Sequence, residues 1–122
     1  MRLLLDTHAF LWLITGDARL PATTRSLIDA AESVLLSVAS VWEAEIKRAA
    51  GHLDVPPVAD AAERVDVSLL AITGAHATAA AQLPLHHRDP FDRMLVAQAR
   101  VESLVLVSKD TALRRYGVAV AW

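Results

Sequence analysis

Asp6, Glu43, Asp92 and Asp110 are the residues of this chain whose types and positions could do chemistry together. Four carboxylates brought to one place repel one another unless a cation neutralises them. Hard oxygen donors that leave room for water are what Mg²⁺ or Mn²⁺ prefers. Such a site suits phosphodiester hydrolysis, because a bound divalent ion lowers the pKa of its water and no protein nucleophile is then required. The rest of the sequence agrees: there is no cysteine, no Ser in a nucleophile-elbow context, and no G-x-x-x-x-G-K phosphate loop.

Taken singly, each acid has a plainer role. Asp6 and Asp110 have the position of helix N-caps, which Asp fills well. Glu43 precedes Lys47 by four residues, the favourable order for a surface ion pair, and Asp92 in a first helical turn answers the helix dipole. Asp89, three residues before Asp92, is either a cap or a residue able to exchange roles with it. Elsewhere, adjacent His86 and His87 read as surface residues, His8 as a hydrogen-bonded core histidine, and Trp12, Trp42 and Trp122 as packing residues. Glu45, two residues from Glu43 on a helix, points elsewhere.

The elements that must position these groups are legible as apolar runs. Arg2 to Leu5, Val34 to Leu36, Leu69 to Ile72 and Leu104 to Val107 each end at a polar or helix-starting residue and read as buried parallel strands. Val118 to Ala121 would finish the sheet. Helical patterns fill the gaps at Thr7 to Ile14, Pro21 to Ala31, Val38 to Ala50, Val58 to Arg64, Gly74 to Gln82 and Pro90 to Val101. This alternation means an α/β sandwich. Ligands in such sheets bind outside the carboxyl ends of the strands, the edge on which all four acids fall.

With 122 residues and no linker, a single domain spanning 1–122 is expected. A net charge of −2 argues against a broad basic surface for nucleic acid, although basic residues outnumber acids from His86 onward. No apolar run reaches the length of a membrane helix, so a cytoplasmic protein is expected. The high apolar share, 54% of residues, suggests surface covered by partners, for which Pro21 to Ala31 and Val58 to Arg64 are the candidate segments.

Four stretches resemble, in order, the motifs of a PIN domain of the VapC type, the ribonuclease toxin of VapBC toxin-antitoxin pairs. They are Leu3-Leu4-Leu5-Asp6-Thr7-His8, Ser37 to Glu43 followed by Lys47, His86 to Ala99, and Val107-Ser108-Lys109-Asp110. The resemblance covers essentially the whole chain. It implies a three-layer sandwich with a five-stranded parallel sheet, Mg²⁺- or Mn²⁺-dependent cleavage of RNA, a homodimer, and a cognate VapB-type antitoxin occupying the acidic groove. It carries the catalytic and metal-binding roles to Asp6, Glu43, Asp92 and Asp110, with Asp89 as the alternate to Asp92 and Asp110 able to act through water. Thr7 and Ser37 match supporting hydroxyls, and Lys47 or a nearby Arg would contact phosphate. Two other classes compete: a PIN-like binding module without catalysis, and a receiver-type phosphoacceptor domain. The receiver should carry an acid after its third strand, where this chain reads Ala71-Ile72-Thr73-Gly74.

Overall fold

Leucine and valine runs without polar interruption form strands buried on both faces. The computed structural model describes residues 1–122 and has five strands, β1 Arg2–Leu5, β2 Ser33–Ser37, β3 Ser68–Leu70, β4 Val105–Val107 and β5 Val120–Ala121, of which β1 and β4 are the most buried and the edge strand β3 is largely exposed. Six helices separate them: α1 Thr7–Thr15, α2 Ala22–Ala30, α3 Val38–Ala49, α4 Val58–Arg64, α5 Gly74–Gln82 and α6 Pro90–Glu102. The strands form one all-parallel sheet in the order β3-β2-β1-β4-β5. This is the expected α/β sandwich, with the strand next to Asp6 at its centre.

Alternation along β1 sends its side chains to two cores. Leu3 and Leu5 join Phe10, Ile28, Leu36, Val58 and Ala62 on one face, whereas Leu4 joins Leu95, Val96, Leu106, Leu113 and Tyr116 on the other. Helices α1 to α4 therefore cover one face, and α5, α6 and the turn after β4 cover the other. The chain winds outward from β1 through β2 to β3, then returns to the far side of β1 as β4. The topological switch lies between β1 and β4, which pair through Leu3↔Val105, Leu4↔Leu106 and Leu5↔Val107. A crevice forms there at the carboxyl ends, where sheets of this class bind their ligands.

The segment after β4, from Thr111 to Tyr116, is a 3-10 helix that the apolar periodicity did not show. The two segments expected to face partners carry no large exposed apolar side chain: Ile28 of α2 and Val58, Ala61 and Ala62 of α4 are buried in the core. Large exposed apolar side chains instead occupy α3, where Val38, Trp42 and Ile46 recur every four residues. The inward face of that helix is Ala39, Ser40 and Ala44, small residues that allow a close approach to the sheet. Leu69, Ile72 and Leu85 are also exposed. No helix is long and apolar enough to cross a membrane.

Candidate metal centre

Asp6 follows β1 directly and starts α1, its Oδ1 accepting from the Ala9 N–H at 2.7 Å. Asp110 starts the 3-10 helix in the same way, accepting from Ala112 at 3.2 Å through Oδ1. The capping role and placement at the crevice are therefore not alternatives, since the residue that ends a strand here also begins the next helix. Asp89 caps α6 through Oδ1, which accepts from Phe91 at 2.9 Å and Asp92 at 3.4 Å. Asp92 sits one turn in, facing the crevice, and Glu43 reaches it from α3. All five acids line a single cavity of ≈ 360 Å³ with Thr7, His8, Trp12, Ser108 and Lys109.

Burial and neighbouring charge raise two of the acids, Asp92 and Asp6. Burial pushes the Asp92 carboxyl up to about 6, helped by the charges of Asp89, Asp6 and Glu43 and opposed by His87. Asp6 is also raised, chiefly by burial, although the Ala9 N–H and the Ser108 hydroxyl stabilise its charge. Two hydroxyls serve the cluster: Ser108, and Thr7, whose Oγ1 donates to Glu43 Oε1. Ser37, the other hydroxyl position carried over by resemblance, is spent on the Ala39 N–H as the α3 cap and does not line the cavity. Lys47 stands 3.9 Å from Glu43 as the expected i, i+4 pair. Glu45 is turned away, bonded to Arg48 at 2.7 Å.

His87, expected at the surface beside His86, instead reaches the acids. Its Nε2 lies 3.1 Å from Asp110 Oδ2 and 3.5 Å from Asp92 Oδ2, so it spans two of the acids. Nδ1 accepts the Asp89 N–H at 3.3 Å, which places the proton of the neutral ring on Nε2 as a donor to Asp110. Its neighbour His86 is exposed against Tyr116, as a surface residue should be. Adjacency in sequence hid the difference: only the turn into α6 decides which of the two rings faces the crevice. His8 is likewise not a core residue but an exposed one at the cavity wall.

The donor set fits a hard divalent cation. It offers several carboxylates at one edge, two with raised pKa, no sulfur ligand, and a single apolar residue among the cavity's ten lining side chains.

The PIN domain family model matches residues 3–119, nearly the whole chain. The chain belongs to the PIN domain family. Solved PIN structures share its fold. VapBC2 from Rickettsia felis, solved bound to a promoter DNA fragment, superposes with a TM-score of 0.76 at 11% identity, covering 99% of this chain and 98% of that one. VapBC-1 from nontypeable Haemophilus influenzae gives 0.69 at 16%, covering 99% and 97%. VapC20 from Mycobacterium tuberculosis, described as a sarcin-ricin loop cleaving toxin, gives 0.68 at 20%, covering 96% of each chain. At these identities the likeness is one of fold. No curated protein sequence matches the chain.

Proposed function

We propose that this PIN domain is a divalent-metal-dependent endoribonuclease and the toxin of a toxin-antitoxin pair, acting in the cytoplasm. The observation that carries the reading is the gathering of Asp6, Glu43, Asp92 and Asp110 in one cavity at the β1/β4 switch. Support for RNA as substrate comes from the fold shared with a toxin that cleaves the sarcin-ricin loop, and support for an antitoxin from neighbours solved as VapBC pairs.

Asp6, Glu43 and Asp92 are the residues that would hold Mg²⁺ or Mn²⁺, with Asp110 contributing directly or through water and Asp89 retained mainly as the α6 cap. A divalent ion bound there supplies an acidified water and neutralises charge on the phosphate. Thr7 fixes the Glu43 rotamer, and Lys109 at the cavity wall is placed to meet a phosphate oxygen. The exposed α3 stripe of Val38, Trp42 and Ile46 offers apolar surface for a homodimer or the antitoxin. The biological reading is tested by induced expression. Wild type should arrest growth, Glu43→Gln should not, and co-expression of the cognate antitoxin should relieve the arrest. Equal growth under wild type and Glu43→Gln would favour a binding module without catalysis.

Two further expectations follow from the site. The Asp92 carboxyl moves from 3.8 to about 6 on folding, so between those values the native state holds more protons than the unfolded chain. Metal-free stability therefore falls as pH rises through this window, and the loss is complete above pH 6. A cation must displace that proton, so the gain in melting temperature from Mn²⁺ should grow through pH 6 and level off above it. Thermal melts at pH 5 to 8, with and without Mn²⁺, should show both trends, and Asp92→Asn should flatten them. For His87→Ala, loss of the donor that spans Asp92 and Asp110 should weaken Mn²⁺ binding by about 10- to 100-fold, read by titration calorimetry.

A further inference from the structure

We infer that His8 and Trp12 form a stacking platform for a nucleobase of single-stranded RNA beside the acidic cavity, an inference that rests on the ribonuclease reading. Both rings lie one helical turn apart on α1 and both line the cavity that holds the acids. Their centroids are 5.7 Å apart with the planes tilted by 44°. Trp12 is half-buried and locked in place: the Arg19 guanidinium lies 4.8 Å above its ring, and Trp122 meets it edge-on at 5.8 Å. Arg19 is itself held by Asp17 through bonds of 3.1, 3.2 and 2.7 Å, so its charge is already paired and its role here is to cover one face of the indole. The imidazole of His8 is exposed, has no protein hydrogen-bond partner, and has a rigid aromatic backing.

A substrate whose phosphate is drawn to the acids must place its adjoining nucleotides against the cavity wall. The wall on the α1 side is aromatic, while the α6 and β4 side is carboxylate and lysine. A base has a π-face whatever its identity, so the platform favours nucleotides over bare polyphosphate without reading sequence. The exposed indole of Trp42 does not line the cavity and packs edge-on against Phe91 instead.

The test separates base stacking from phosphate attraction. Binding of a short single-stranded oligoribonucleotide and of a fully abasic ribose-phosphate strand of equal length is measured in Ca²⁺ by fluorescence anisotropy. Wild type should prefer the base-bearing strand by about 5- to 100-fold. His8→Ala should lose most of that preference while binding the abasic strand as wild type does, and His8→Phe should restore it. His8 is exposed, so these changes spare the core, and Trp12→Phe should retain part of the preference if the indole backs the ring. Equal preference in wild type and His8→Ala overturns the platform and leaves the ribonuclease reading standing. Failure of wild type to bind either strand overturns both.

Discussion

Asp6→Asn should reduce RNA cleavage by about a thousandfold or more and leave the metal-free protein at least as stable as wild type. Metal-assisted charge stabilisation is worth several kcal/mol, and each 1.36 kcal/mol is a factor of ten in rate. Asp6 lies at the end of the central strand and is 9% exposed, so its charge is held in a costly environment near Glu43. Asn keeps the oxygen that accepts the Ala9 N–H at 2.7 Å, and Asn is as good an N-cap as Asp. What it removes is the buried negative charge whose protonation folding favours. The fold keeps its cap and is relieved of a buried charge, whereas the cation loses a ligand. Cleavage assays and melts in EDTA should therefore move in opposite directions, and the melting increment on adding Mn²⁺ should shrink. A variant that is inactive because it is unfolded would instead lose cleavage and stability together.

Arg93→Met should destabilise the protein by about 3 kcal/mol, since bonds from a charged donor to backbone carbonyls contribute about 1.5 to 3 kcal/mol each and are not additive. The Arg93 guanidinium donates to Ala80 O at 3.0 Å, Leu83 O at 2.9 Å, Pro84 O at 2.9 Å and His87 O at 3.4 Å. These carbonyls belong to the end of α5 and the loop after it, where a helix leaves acceptors without intrahelical partners. Arg93 thus ties the loop bearing His87 and Asp89 to α6, and the variant should weaken Mn²⁺ binding along with stability. Arg93→Lys should recover little of either, because one ammonium cannot span four carbonyls. Thermal melts and Mn²⁺ titration of the two variants check this. Arg93 is accordingly a poor candidate for a phosphate contact, although its charge alone suggests one.

The contrast between Asp6 and Arg93 shows what the sequence conveys. Strand ends and helix starts are local events, written in apolar runs followed by Asp or Pro, so Asp6, Asp92 and Asp110 could be placed on one edge before any contact was known. Asp89 also fits this pattern, and its commitment to capping α6 distinguishes it from Asp92. Contacts between distant segments are not written locally. Nothing in the sequence tells that Arg93 meets the end of α5, or that His87 rather than His86 turns toward Asp110. Helix α3 misleads for another reason. Its large apolar residues are outside and its small ones inside, so size and hydrophobicity point to the wrong face. The short 3-10 helix from Thr111 to Tyr116 is set by the Asp110 cap and by burial of Leu113 and Tyr116, too few residues to establish a period.

In the proposed ribonuclease, these carboxylates form one cation site that cuts RNA. The most direct test is incubation of the purified chain with single-stranded RNA in Mn²⁺, with EDTA added midway, beside Asp6→Asn under the same conditions. Wild type should cleave until EDTA is added and then stop, and Asp6→Asn should leave the RNA intact throughout. Cleavage that continues in EDTA, or that is equal in the two proteins, would contradict the account.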